Sequence, residues 1–398
     1  MADHVAIAGA GPVGLTLALA LAREGARVTV LEREPELRQD LRAGSFHPPT
    51  LDMLAPLGIT ARMLESGIRI PRWQIRDRRQ GLIAEWDLEL LADVTHHPFR
   101  LHLEQHRVSG MLLDALHGTA TVLFGHRVLK AADDGNGARL EYRHAGQGGV
   151  LECDWVIGAD GARSVVRRGL GAQFKGFTWP ERFVVISTPF DFGALGFTGN
   201  AYIADPDEWC AIFKVPHEGP PGLWRIAFPV FEHESDAEAL SAARVQHRLR
   251  DIGGERSYPV PYRSIYRVHQ RVASTWRRGR ILIAGDAAHL NNPLGGFGLN
   301  GGIHDAINLA EKLGRVMRGA GPDALLDLYA KQRRSANIEF IQEQSIRNKQ
   351  LLEERDPGEK AKRWEELRRI AASPELARVF LLRSSMIQSV QRAAEITL

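Results

Sequence analysis

Residues 279–309, GRILIAGDAAHLNNPLGGFGLNGGIHDAINL, decide how this chain is read. They read as a buried strand at 281–284, an acidic turn at Gly285-Asp286, a glycine-rich loop, and a helix beginning near Ile303. Apolar residues running into Gly-Asp mark a strand end, and open α/β folds place ligands just beyond such ends. Gly295, Gly296, Gly298, Gly301 and Gly302 are more glycines than loop closure needs. They let a flat ligand lie against backbone whose N–H groups run into a helix N-terminus, where the helix dipole favours developing negative charge. Asp286, when ionised, only accepts hydrogen bonds, which suits a polyol hydroxyl better than a phosphate. A glycine-rich turn capping a strand is the plain alternative.

A second signal sits at the start of the chain. Residues 5–8 form an apolar strand, followed by Gly9-Ala10-Gly11-Pro12-Val13-Gly14, a helix to about Glu24, and a second strand at 27–31 ending on Glu32 and Arg33. In such a fingerprint Gly9 makes the turn, Gly11 lets a pyrophosphate approach, and Gly14 lets helix and strand close up. Glu32 lies 18 positions beyond Gly14, near the roughly 20 expected of an acid that binds a ribose. With strand, glycines, helix and acid all in place, a dinucleotide binds here. A third signal follows at 155–164, where a buried strand runs into Asp160-Gly161-Ala162-Arg163-Ser164. Asp160 alone would also serve as a helix cap.

The three motifs in this order resemble those of class A flavoprotein monooxygenases, the para-hydroxybenzoate hydroxylase family, over roughly residues 5–336. The resemblance implies an α/β fold: a GxGxxG Rossmann-like FAD-binding domain with an inserted, mostly antiparallel β-sheet substrate domain and a C-terminal helical region. The FAD-binding domain would comprise residues 1–71, 98–180 and 272–322, the substrate domain 72–97 and 181–271, and the terminal helices 323–398. FAD would be the cofactor and NAD(P)H the co-substrate. By the same resemblance Asp286, after Gly285, holds the ribityl chain, and Pro293 lies beside the reactive edge of the flavin. Gly296 and Gly298 shape the loop, and the backbone N–H groups of Leu299 and Asn300 face the flavin pyrimidine carbonyl. Asp160 orients the pyrophosphate loop, Arg42 of the Arg42-Ala43-Gly44 segment contacts cofactor near the flavin, and Gln105 reaches the ribityl chain. Arg225 matches a family arginine near the ring. Apart from the resemblance, Ser45 and His47 are candidate catalytic positions in a segment expected to line the pocket, although a histidine before two prolines also suits a turn.

Composition narrows the alternatives. The chain has 398 residues, 44% of them hydrophobic, and a net charge of +3, enough for two domains but no nucleic-acid footprint. Cys153 and Cys210 make neither a disulfide framework nor a metal site, so a reducing, cytoplasmic setting is expected. The longest apolar runs, such as residues 17–22, fall short of the roughly 18 residues of a membrane span. Strand-like stretches at 72–93, 183–190, 209–215, 223–231 and 262–268 build the substrate sheet, with a helix at 236–251 and Tyr202, Phe213, Trp224 and Tyr266 as candidate pocket walls. Stretches at 121–130, 138–144 and 150–153 read as a three-stranded excursion, and 325–354, 360–371 and 375–396 as terminal helices. That tail is long enough to pack on its own core or to meet a second subunit, so a homodimer stays open.

The cofactor would carry the chemistry. The resemblance implies that NAD(P)H reduces FAD, that O2 adds to give a flavin C4a-hydroperoxide, and that its distal oxygen attacks an electron-rich phenolic or N-heteroaromatic ring. Rival readings are other chemistry on the same fold, an epoxidase or a halogenase, and a non-catalytic FAD-binding protein. The halogenase would want a Gly-x-Trp-x-Trp-x-Ile-Pro segment, and residues 222–229 carry a single tryptophan.

Overall fold

The computed structural model describes residues 2–39 and 44–398. Its centre is a six-stranded sheet in the order Arg277–Arg278, Ile281–Ile283, Trp155–Gly158, His4–Ala8, Arg27–Leu31, Thr121–Leu123. All neighbours run parallel except the short edge hairpin at Arg277–Arg278. The strands that carry the three motifs are therefore adjacent: Val5 pairs with Trp155, and Val156 with Ile281. Parallel pairing aligns their carboxyl ends, which is why motifs far apart in sequence open onto one edge. The helix Pro12–Arg23 buries Leu15, Leu17, Ala18, Leu19 and Leu21, because it lies between this sheet and the helices Gln105–Ala115 and Phe297–Met317.

A second, eight-stranded sheet runs His289–Leu290, Tyr262–Ala273, Phe174–Thr188, Leu223–Val230, Cys210–Val215, Asn200–Ala204, Arg72–Asp77, Gly81–Asp87. It is antiparallel apart from the Asn200–Ala204 and Arg72–Asp77 pair. Side chains alternate along each strand. One face, with Ile186, Ile212, Trp224, Ile226 and Phe228, packs on Val245 and Leu249 of the helix Ala242–Gly253. The opposite face, with Trp73, Phe183, Tyr202 and Ala211, meets Trp364, Leu367 and Leu381 of the C-terminal helices. A small three-stranded sheet, Ser45–Phe46, Arg100–His102, Ile68–Ile70, is a further element that the sequence did not announce. Among the described residues, no helix is long and apolar enough to cross a membrane.

Several boundaries differ from the sequence reading, each for a local reason. The helix expected near Ile303 begins at Phe297, with Gly296 at φ +69 as its N-cap. Gly301 and Gly302 are thus helical, and they are small for packing: a Cβ on Gly302 would stand 2.6 Å from Val13 Cγ2, and one on Gly301 would stand 2.8 Å from Ile341 Cδ1. The stretch 121–130 is two strands. Thr121–Leu123 extends the parallel sheet, and Arg127–Asp133 starts a meander with Ala138–His144 and Gln147–Cys153. Residues 236–251 hold two helices, each started by a serine N-cap, Ser235 and Ser241. The segment 375–396 also divides, at Met386 with φ +66.

Candidate active site

Where the parallel strands end, a cleft of about 770 Å³ opens, lined among others by Gly9, Gly11, Glu32, Arg33, Gln105, Asp160 and Asp286. Two of the fingerprint glycines are there for closeness. A Cβ on Gly9, at φ +103, would lie 2.5 Å from the Ala159 carbonyl oxygen, and one on Gly14 would lie 2.0 Å from that of Gly9. Gly11 differs: nothing stands within 4 Å of its Cβ position, so the backbone there offers an open cradle at a helix N-terminus. Glu32 closes the turn by accepting from the Ala10 N–H at 2.7 Å and the Glu34 N–H at 3.0 Å. Asp160 accepts from the Val165 N–H at 2.6 Å, and burial pushes its carboxyl up. It does act at the helix start, as the plain alternative had it, yet it also lines the cleft. Gln105 is the first residue of its helix, after Glu104 as N-cap, and it lines the cleft. Arg127, Arg163 and Arg168 also line the cleft, among acids such as Glu34 and Glu36, and supply cations suited to an anionic pyrophosphate.

The Gly285-Asp286 turn is held from behind. The Gly285 N–H donates to Asp305 Oδ2 at 3.1 Å, and the same carboxylate binds His289 Nε2 at 2.9 Å and Arg333 Nε at 2.8 Å. Asp305 is fully buried. Burial alone would raise its carboxyl, but His289 and Arg333 outweigh it and hold the group below the ordinary range. Arg333 also reaches the Gly301 carbonyl, and the Tyr329 hydroxyl donates to the Ile283 carbonyl at 2.7 Å. Asp286 itself points from this turn to the exposed side of the cleft. Sequence reasoning missed Asp305, Arg333 and Tyr329. The available signal was a lone carboxylate in the apolar stretch that holds Ile303, Ala306 and Leu309, which burial obliges to pair.

A second group gathers at the glycine loop. The Asn300 side chain accepts from the His47 N–H at 2.9 Å and donates to the carbonyls of Ser45 at 2.8 Å and Gly296 at 2.6 Å. His47 Nε2 lies 2.7 Å from the Gly295 carbonyl, which fixes the proton on Nε2, and the ring stacks on Phe297 at 5.5 Å. Burial, reinforced by Arg100, lowers the His47 pKa well below its usual value, so this imidazole is neutral. Pro293 is exposed, and its carbonyl takes the Gly296 N–H at 2.9 Å. Because Phe297, Gly298 and Leu299 follow the Gly296 N-cap in the first helical turn, their N–H groups have no intrahelical acceptor. They are available to a ligand carbonyl.

Arg225 is fully buried in the strand Leu223–Val230, opposite Phe213, whose ring meets that of His102 at 6.1 Å. His102 in turn pairs with Ser45. Trp224 alternates to the other face and bonds Asp191 at 3.1 Å, so it is not a wall on the Arg225 side. Arg42 lies outside the described residues.

The donor set fits FAD: an open glycine cradle, arginines along the cleft, an acid at the end of the second strand, and helix N–H groups at the far end. Comparison with known proteins agrees. A family profile described as "FAD binding domain" matches residues 3–344. The chain is 34% identical over 362 residues to para-nitrophenol 4-monooxygenase of a Pseudomonas species, covering 90% of this chain and 89% of that one. It is 33% identical over 372 residues to 6-hydroxy-3-succinoylpyridine 3-monooxygenase of Pseudomonas putida, covering 92% of each. The crystal structure of p-nitrophenol 4-monooxygenase from Pseudomonas putida superposes with a TM-score of 0.91 at 32% identity, over 100% of this chain and 99% of that one. The chain belongs to the FAD binding domain family, within which it is an FAD-dependent aromatic monooxygenase.

Proposed function

We propose that the cleft and the glycine loop hold one FAD end to end, and that the enzyme uses NAD(P)H and O2 to hydroxylate a single-ring phenol or hydroxy-N-heteroaromatic. The observation that carries this reading is continuity. Asp286 lines the cleft, its neighbour Gly285 is bonded to the helix Phe297–Met317, and that helix begins in the loop that His47 and Asn300 clamp. In this reading residues 1–71, 98–180 and 272–322 form the cofactor domain, 72–97 and 181–271 the substrate domain, and 323–398 a helical region that braces both. The relatives' phenol and pyridine substrates supply the ring class.

When bound, FAD would take electrons from NAD(P)H and activate O2. The chain's own residues do the rest. Gly9, Gly11 and Gly14 let the pyrophosphate approach the first helix, with Asp160 fixing the opposing loop. Glu32 takes the ribose beside Arg33, and Asp286 and Gln105 take the ribityl hydroxyls. The N–H groups of Gly298 and Leu299 offer hydrogen bonds where negative charge develops. His47 holds its proton at Nε2 on the Gly295 carbonyl, and so positions the loop carrying Pro293 and Gly296. Ser45 and Arg225 border the space between loop and sheet, whose apolar walls exclude water. NADPH and NADH oxidation, measured with and without 4-nitrophenol and hydroxypyridines, tests the proposal. Substrate-stimulated oxidation coupled to a hydroxylated product supports it, and oxidation indifferent to every phenol contradicts it.

A further inference from the structure

Arg100 differs from two other buried arginines. Arg333 pairs with Asp305, and Arg248 pairs with Glu208 and Glu234. Arg100 is 3% exposed, yet no carboxylate among the described residues is paired with it. Its one hydrogen bond is a 3.5 Å contact from Nη2 to the Ser384 carbonyl, and its Nε has no acceptor. The guanidinium lies 5.1 Å over the Trp73 ring. A buried cation left in this state is costly, and ordinarily an anion meets it.

Further buried polar atoms gather around Arg100. Arg100 sits in the middle strand of the small sheet, opposite Ile70, two residues from His102, which pairs with Ser45. Ser45 Oγ, His47 Nδ1, Trp73 Nε1, His102 Nε2 and Ser384 Oγ are all buried with no hydrogen-bond partner. His102 donates from Nδ1 to the Lys214 carbonyl at 2.8 Å, and His47 donates from Nε2 to that of Gly295. Burial lowers the pKa of both histidines, so both imidazoles are neutral, each with a buried unprotonated nitrogen. Tyr202 stands edge-on to Trp73 at 5.8 Å, with its hydroxyl beside the Gly295 N–H and within the field of Arg100. Aromatic walls, one cation and several polar atoms thus converge beside Gly295.

We propose that Arg100 is the anion anchor of the substrate pocket, binding a negatively charged oxygen group carried on the aromatic ring, with Trp73 and Tyr202 flanking that ring. The inference rests on the hydroxylase reading and narrows its substrate class to oxyanionic aromatics. Arg100 acts by charge and by its fork of N–H donors, which matches two acceptor oxygens. The neutral His47 and His102 set the polar surround without competing for the negative charge.

The test titrates the FAD-loaded protein with 4-nitrophenol, at a pH where it is ionised, and with 4-nitroaniline as its neutral isostere. Binding is read from the perturbed flavin spectrum, without turnover. The wild-type protein should prefer the anion by roughly tenfold or more. Arg100→Gln should erase the preference by weakening the anion alone, and Arg100→Lys should restore part of it. Equal affinity for both compounds in the wild type overturns the anchor while leaving the hydroxylase reading standing. So does Arg100→Gln weakening both compounds alike. If neither compound nor any other phenol perturbs the flavin, the hydroxylase reading falls, and the anchor with it. Should Arg100→Gln fail to fold, the wild-type comparison and Arg100→Lys decide.

Discussion

Replacing Asp305 with Ala should be among the most damaging single changes in the chain, although Asp305 touches no substrate. The substitution removes the acceptor of three bonds, from the Gly285 N–H, His289 and Arg333, and strands the Arg333 guanidinium at 2% exposure. Breaking one partner out of a buried ion pair costs about 3–5 kcal/mol, mostly through the uncompensated charge that remains. With about 2.1 cal/mol/K of unfolding entropy per residue over 398 residues, that loss lowers Tm by roughly 4–6 °C. The sign with pH follows from the depressed carboxyl. Its contribution is present above the ordinary carboxylate range and is lost as pH falls through the lowered value, so the deficit is full at neutral pH and closes in strong acid. Thermal unfolding followed by circular dichroism checks both. The second variant is Asp305→Ala with Arg333→Met, which removes the stranded charge and should recover part of the loss. A Tm unchanged within about 1 °C, or no recovery in the double variant, would refute the reasoning that this triad carries the turn.

Other changes separate cofactor binding from folding. Gly11→Leu should abolish FAD retention while the apoprotein keeps its Tm, because the new side chain enters the open cradle rather than the core; FAD content per chain is the measurement. Asp286→Ala should weaken FAD by roughly tenfold or more by reconstitution titration, with a small effect on Tm. Gly302→Ala should cost about 1–3 kcal/mol of stability, since its Cβ would press on Val13 and on the Gly285 backbone; denaturant unfolding reads this. Burial lowers the His304 pKa to about 3 from 6.5. Its share of stability is therefore present above pH 6.5 and is lost as pH falls, and His304→Gln should flatten the pH dependence by about 1.4 kcal/mol per pH unit between roughly pH 6 and 4.

What the sequence made legible was local chemistry at strand ends. Glycines, an acid and a helix start at fixed offsets are read without knowing what lies behind them. Gly9, Gly11, Glu32, Asp160 and Asp286 accordingly line one cleft. What it hid was contact made across long sequence distances. Nothing near Asp305 announces Arg333, and nothing near Arg100 announces Ser384 or Tyr202. Two-residue pairings such as Ser45–Phe46 with Leu101 and His102 are too short to leave a periodic signal. The glycine run was misassigned because small residues serve two ends at once, a left-handed turn at Gly296 and helix contact at Gly301 and Gly302. Trp224 and Arg225 are neighbours on opposite faces of a strand that is buried on both sides, so hydrophobic alternation could not say which face met the pocket.

The most direct test of the central claim is oxygen transfer itself. The purified, FAD-loaded protein is given NAD(P)H, 4-nitrophenol and isotopically labelled dioxygen, and the aromatic product is examined by mass spectrometry. The account predicts a hydroxylated ring bearing one labelled oxygen atom, formed in step with NAD(P)H consumption. Label appearing only in peroxide or water, with every phenol and hydroxypyridine recovered unchanged, would contradict it.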